Sequence, residues 1–349
     1  MTMQRVTVRA FGGPEQLAVE AVDECPRPGH RQILVDVEAA GVNYLDVYQR
    51  KGLSPISLPF TPGYEGVGRV REIGPDIACN SFTAGDRVAW INSPGSYASQ
   101  VLIAAAEAIP VPKSFTVPDA LLFQAITAEY LINEYRAIGH GDRVLVHAAA
   151  GGVGHLLVQW CKHLGAWVVG TTSSDAKALA VRAAGADAVI NYGHDYAFLD
   201  ALLSITDGKG VDLAFDAVGA ATLANTVKAL ARGGTALSYG SASGTPPAIE
   251  TRQLAPKCAR LAAGALFTYI ADPLELQRRA ATVVEAIQAG WLRMGQGTAY
   301  ALANVAQAHR DIEGRGTQGK LFLTPEQAPS QERLHDKNEH DKNSSTETQ

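Results

Sequence analysis

Residues Val144-Leu-Val-His-Ala-Ala-Ala-Gly-Gly-Val-Gly154, followed by His155-Leu-Leu-Val-Gln-Trp160, decide the fold. The opening Val-Leu-Val is an apolar run of the kind a fully buried strand needs, and the stretch after Gly154 is apolar enough for a packed helix. Between them Ala149, Gly151 and Gly154 fill the three small positions of a G-x-G-x-x-G pattern, with alanine at the first. In such a turn the second small residue lets backbone N–H groups approach a pyrophosphate, and the third lets the helix pack tightly on the strand. The helix N-terminus adds donors and a partial positive charge. A glycine-rich turn that binds nothing is the plain alternative. Placement after a strand, before a helix and at the head of an alternating series favours a dinucleotide.

That series continues down the chain. Ala166–Gly170 reads as a second strand and Asp175–Ala184 as a helix, then Ala188–Ile190 and Val211–Asp216 as strands. Helix 220–230 and strand 235–240 follow, and Asp272–Ala289 forms a long amphipathic helix outside the run. Strands alternating with helices predict an α/β fold with a doubly wound parallel sheet. The first ~120 residues differ, reading as short strands cut by turn residues. Ile33–Ala39 alternates aliphatic with polar side chains, Gly66–Ile73 does likewise, and Pro55, Pro59, Pro62, Gly63, Gly74, Pro75 and Gly85 punctuate them.

At 349 residues the chain has room for about two domains, at roughly 150 residues each. Hydrophobic residues make up 46% and charged residues 19%, an ordinary globular composition. Thirty Lys and Arg against 35 Asp and Glu leave a net charge of −5, which disfavours broad nucleic-acid binding. No run approaches the ~18 apolar residues of a membrane span, and Met1–Ala10 has no apolar signal-peptide core, so a cytoplasmic protein is expected. Cys25, Cys79, Cys161 and Cys258 lie far apart and form no CxxC, so neither a disulfide framework nor a zinc cluster is indicated. In residues 326–349 only Ala328 and Leu334 are apolar, and six acids stand against three bases. A disordered tail is expected there.

The cofactor depends on how the second strand ends, because an acid there would hold a ribose 2′-OH. The strand runs out as Val169-Gly-Thr-Thr-Ser-Ser174, with no acid before Asp175 and with Lys177 two residues further on. Small hydroxyls and a cation suit a 2′-phosphate, which favours NADPH. Ser173 or Ser174 capping a helix while Lys177 faces water is the alternative, and a cap and an anion site can share one turn.

Further segments then carry a resemblance. Gly41-Val-Asn-Tyr-Leu-Asp-Val-Tyr48, Leu58-Pro-Phe-Thr-Pro-Gly-Tyr-Glu-Gly-Val-Gly68, Ala84-Gly-Asp-Arg-Val88, His147-Ala-Ala-Ala-Gly-Gly-Val-Gly154, Val189-Ile-Asn-Tyr192 and Gly314-Arg-Gly-Thr-Gln-Gly319 occur in this order. Together they resemble the zinc-independent medium-chain dehydrogenases/reductases, in the NADPH:quinone oxidoreductase (zeta-crystallin-like) group. The resemblance covers Val6 to Pro325. It implies a GroES-like β-barrel catalytic domain from residues 1–126 and 268–325, with a Rossmann NADPH-binding domain of residues 127–267 between. By the same resemblance Lys177, Tyr192 and Arg315, with Ser173, would hold the 2′-phosphate and adenosine. Gly152, Val153, Gly240 and Ser241 would line the pyrophosphate and nicotinamide ribose, with Ala150, Gly151, Gly154 and Phe267 also expected to bind the cofactor. Asn43, Asp46, Tyr48 and Thr127 would sit near the nicotinamide and the substrate. Tyr192 as a packing residue and Arg315 as a solvated cation are the plainer readings without it.

Zinc-dependent relatives of this group carry a Cys near the position of Asn43 and a His after the glycine at Gly63, where this chain has Tyr64 and then Glu65. A tetrahedral zinc site needs three or four close Cys, His or carboxylate ligands, and the nine histidines are scattered, with His309 expected on a helix surface. No metal is therefore expected. Without a Lewis acid, a quinone or activated alkene is a better hydride acceptor than a simple alcohol or ketone. NADPH-dependent reduction of quinones is the leading expectation. Reduction of α,β-unsaturated carbonyls, or NADPH binding without turnover, stand as alternatives. The family pattern also implies a homodimer or homotetramer.

Overall fold

The computed structural model describes residues 3–23, 26–78, 81–193, 195–314 and 316–325. Arg315 and the expected disordered tail at 326–349 lie outside the described residues.

The N-terminal part contributes β1 (Met3–Val8), β2 (Leu17–Val22), β3 (Gln32–Val42), α1 (Tyr44–Arg50), β4 (Gly66–Ile73), β5 (Arg87–Trp90), β6 (Gln100–Ala104) and β7 (Ile109–Pro110). β3 is the spine, because its alternation puts Ile33, Val35, Val37 and Ala39 into the interior at 4% exposure or less. The helical linker of α2 (Val117–Ala120) and α3 (Phe123–Asn133) follows. The alternating series is then β8 (Arg143–Val146), α4 (Gly152–His163), β9 (Trp167–Thr172), α5 (Asp175–Ala183), β10 (Ala188–Asn191), α6 (Leu199–Ile205) and β11 (Val211–Asp216). It ends with α7 (Leu223–Ala229), β12 (Leu230–Ser238), α8 (Thr251–Leu254) and β13 (Arg260–Ala263). The C-terminal part holds α9 (Leu266–Tyr269), α10 (Pro273–Gln288), β14 (Thr298–Ala301), α11 (Val305–Glu313) and β15 (Leu321–Thr324).

Two large sheets result. One is parallel throughout, in the order β10-β9-β8-β11-β12-β13, which is the Rossmann order with β8 as the first strand. Its central strand buries Val144, Leu145 and Val146 completely, as a strand covered by helices on both faces must. The other runs β14-β15-β3-β4-β5-β7, with β6 also on β3. β15 pairs antiparallel with the end of β3, Leu321 opposite Val42, so this GroES-like sheet is closed by strands from both ends of the chain. One apolar core fills the barrel around Ile33, Trp90 and Val305, and another lies under Leu145, Val169 and Phe198. The largest links the helices of the parallel sheet to Ala39, Val67 and Ile91 of the barrel, so the two halves share an apolar seam.

Three element readings change, one being β12, which runs Leu230–Ser238 rather than 235–240. α7 starts at Leu223 rather than 220, because the turn before it is held by Asp216, whose Oδ1 accepts from the N–H groups of Val218 and Gly219 at 2.9 and 3.0 Å. β13, a sixth parallel strand, carries too little apolar pattern to announce itself.

Candidate active site

The dinucleotide turn is built as its small residues require. Ala148 adopts a left-handed conformation (φ 49), and its carbonyl turns under the helix to accept the Gly151 N–H at 2.8 Å. A Cβ on Gly154 would lie 2.4 Å from that carbonyl oxygen, and one on Gly152 would lie 2.1 Å from Gln124 Oε1. Gly151 is the extended N-cap of α4, and a Cβ there would touch only Ala148 O, at 3.1 Å. Its outer side is therefore open, next to N–H groups that the first turn of a helix leaves without partners. Ala150 is buried and Val153 packs on the core. Gly151 also bridges to Gly319, just before β15, which brings the barrel to the mouth of the turn.

At the end of β9, the Ser174 hydroxyl accepts from the Lys177 N–H at 3.4 Å as a helix cap. Asp175 is turned aside, its Oδ1 accepting from Asn191 Nδ2 at 2.8 Å. Lys177 is half-buried, and desolvation lowers the pKa of its ammonium. Tyr192 follows β10, its N–H donating to Thr172 O at 3.0 Å and its ring lying 4.9 Å from that of Tyr196. Ser173, Lys177 and Tyr192 thus meet at one corner, where β9 and β10 end side by side.

On the barrel side, Asn43 caps α1. Its N–H donates to Asp46 Oδ2 at 2.8 Å, and its side chain joins a buried polar group with Glu65 and Lys320. Asn43 Nδ2 donates to Glu65 Oε2 at 2.9 Å, while Lys320 Nζ donates to Asn43 Oδ1 at 2.9 Å and to Glu65. Glu65 Oε1 takes the Phe123 N–H at 2.7 Å, tying the group to the start of α3. Phe267 lies edge-on to Tyr64 and to Phe123, with centroids 5.5 and 6.0 Å away. Thr127 donates its hydroxyl proton to Phe123 O at 2.7 Å, so toward a ligand it can only accept. Tyr48 accepts the Ser241 N–H at 3.3 Å, joining barrel to parallel sheet. Desolvation raises its pKa, so it is a neutral hydroxyl at neutral pH with a proton still to give.

Asp46 corrects one expectation. It is wholly buried, and Oδ2 is taken by the Asn43 N–H and by the Tyr97 hydroxyl at 3.0 Å, so it supports Asn43 and does not face a substrate. His309 corrects another: it is 0% exposed, with Nε2 3.2 Å from the Tyr97 hydroxyl, and burial holds its pKa down at about 3. The sequence reading missed Glu65 as a buried partner and missed Lys320 altogether. An acid and a base near glycines read as solvated charges, and only the flanking apolar Val67 and Leu321 hint otherwise.

Residues 29–113 match the alcohol dehydrogenase GroES-like domain family, and residues 152–282 match the family described as zinc-binding dehydrogenase. A 2-haloacrylate reductase of a Burkholderia species is 35% identical over 326 residues, covering 90% of this chain and 97% of its own. The quinone oxidoreductase of Pseudomonas aeruginosa is 34% identical, covering 92% of this chain and 99% of its own. The chain belongs to the quinone oxidoreductase family. Among solved structures, the Escherichia coli quinone oxidoreductase complexed with NADPH superposes with a TM-score of 0.85 at 33% identity, over 92% of this chain and all of that one. The quinone oxidoreductase fold here carries its Gly151–Gly154 turn at the start of α4, with the N-cap glycine open on its outer side. Zinc does not fit. Of the two carboxylates beside Asn43, Glu65 is paired with the Lys320 ammonium, and Asp46 Oδ2 is taken by the Asn43 N–H and the Tyr97 hydroxyl. Among the described residues no three His, Cys, Asp or Glu are grouped to hold a metal.

Proposed function

We propose that the chain is an NADPH-dependent quinone oxidoreductase that works without a metal. The observation that carries this reading is the buried Asn43–Glu65–Lys320 group, one residue from the Gly319–Gly151 bridge, where an ammonium pairs with the carboxylate that a Lewis acid would need. An acceptor at that site must already be electron-poor. NADPH supplies the hydride when bound. Gly151, Gly152 and the first N–H groups of α4, flanked by Ala150, Val153 and Gly154, hold its pyrophosphate. Ser173, Lys177 and Tyr192 take the 2′-phosphate and adenosine, with Arg315 assigned there from the family pattern alone. Gly240, Ser241 and Phe267 line the nicotinamide ribose, and Asn43 and Thr127 orient the nicotinamide and substrate. Tyr48 keeps its own proton while accepting from Ser241, which supports its hydroxyl as the donor that protonates the product oxygen. Residues 1–126 with 268–325 form the catalytic domain and residues 127–267 the cofactor domain. The family pattern extends the reading to a homodimer or homotetramer, and the sequence composition to a cytoplasmic one. No helix among the described residues is long and apolar enough to cross a membrane.

A second reading, reduction of α,β-unsaturated carbonyls, is favoured by the Burkholderia relative named for 2-haloacrylate. NADPH oxidation followed with benzoquinones, naphthoquinones, 2-haloacrylates and simple ketones separates the two. Quinones should give the highest kcat/KM and ketones essentially none; acrylates turned over faster than every quinone would transfer the assignment to the second reading.

A further inference from the structure

Behind the dinucleotide turn lies a buried polar chain. Asp216, at the end of β11, is 0% exposed, and so are His147, Thr171 and Thr226. Thr226 Oγ1 donates to Asp216 Oδ2 at 2.7 Å and lies 3.0 Å from His147 Nε2, while His147 Nδ1 lies 2.9 Å from Thr171 Oγ1. Asp216 Oδ1 accepts from the Thr222 hydroxyl at 2.8 Å and from the Val218 and Gly219 N–H groups. Counting protons fixes the chain's direction. Thr226 has one hydroxyl proton for two oxygen acceptors, Asp216 Oδ2 and the Thr222 carbonyl 3.0 Å away, so toward His147 Nε2–H it can only accept. His147 is then neutral, as its burial favours, and its bare Nδ1 accepts the Thr171 hydroxyl proton.

Each end of this chain sets backbone that the cofactor would meet. His147 precedes Ala148, whose left-handed conformation is uncommon for a residue with a Cβ and must be held by its surroundings. Thr171 also accepts the Ala149 N–H through its carbonyl, at 3.0 Å. Asp216 organises the turn 217–219, and Gly240 lies so close to it that a Cβ would come within 2.7 Å of Ala217 O. The Tyr239 N–H donates to Asp216 O at 3.0 Å, and the Ser243 N–H donates to Val218 O at 2.8 Å.

We propose that Asp216, Thr226, His147 and Thr171 are positioning residues that lock the pyrophosphate turn and the 240–241 ledge into one geometry, so that both ends of the dinucleotide are received together. The proposal rests on the NADPH reading above. Its test is direct binding of NADPH and of adenosine 2′-monophosphate, which lacks both 5′-phosphates and the nicotinamide, to wild type, Thr226→Val, Thr226→Ser and Thr171→Val. Thr171→Val is the gentler variant, because it strands a lone pair rather than an N–H. Both valine variants should bind NADPH about tenfold or more weakly while holding the monophosphate within about twofold, and Thr226→Ser should restore NADPH binding. The proposal is overturned if folded valine variants bind NADPH as wild type does, or if both ligands weaken equally. Wild type that binds neither ligand would fail the cofactor reading and the proposal with it.

Discussion

Lys320 and Glu65 are 1% and 0% exposed, and each is the other's counter-charge inside the protein. Removing one partner of such a pair strands the other and costs about 3–5 kcal/mol, whereas replacing both can be nearly neutral. Lys320→Met should therefore lower the urea-unfolding free energy by ~3–5 kcal/mol, and adding Glu65→Gln should recover at least half of it. Losses that simply add would show that the charges do not sense each other. Asp46 gives a second handle, since burial raises its carboxyl from 3.8 to about 7, only partly opposed by the Asn43 N–H and the Tyr97 hydroxyl. An acid whose folded pKa exceeds its unfolded one takes up a proton on folding. Its contribution to stability is therefore fullest below the unfolded value and is lost as pH rises through the folded one. Between about pH 5 and 7 the Tm of wild type should fall relative to that of Asp46→Asn, and the gap should then stay level to about pH 8. A gap independent of pH would contradict the burial argument.

At the scale of elements, Gly152 and Gly154 both open α4 but face different neighbours. A Cβ on Gly152 meets the end of the Gln124 side chain, which can swing away, whereas one on Gly154 meets the backbone of Ala148 and Ala149. Gly154→Ala should destabilise by about 1–3 kcal/mol and weaken NADPH binding, with Gly152→Ala milder in stability. The reverse order in denaturant titrations would mean that the helix does not seat on Ala148. This turn was legible in the sequence because the small residues themselves state the close approaches. So was α10, whose Asp272 cap and Pro273 mark its start at once. His309 was misread because Arg310 and Asp311 beside it suggest a surface. Yet Val305, Ala308 and His309 share the inward face of α11 at helical spacing, which is the signal that finds it. Glu65 and Lys320 lie 255 residues apart, and no local pattern joins them. β3 does, by pairing with both β4 and β15.

For the molecule as a whole, the barrel closes with strands from both chain ends, and this sets Lys320 beside Asn43 and Gly319 beside Gly151. The central claim is that the residues gathered there pass a hydride from NADPH to an electron-poor acceptor by holding the two reactants together. Such positioning is worth up to ~7–11 kcal/mol without any metal. The direct measurement is the steady-state rate of NADPH oxidation with a benzoquinone acceptor, before and after exhaustive chelation and after zinc is added back. The account predicts one unchanged rate under all three conditions, far above that with a simple ketone. A rate abolished by the chelator, or raised by zinc, would contradict it.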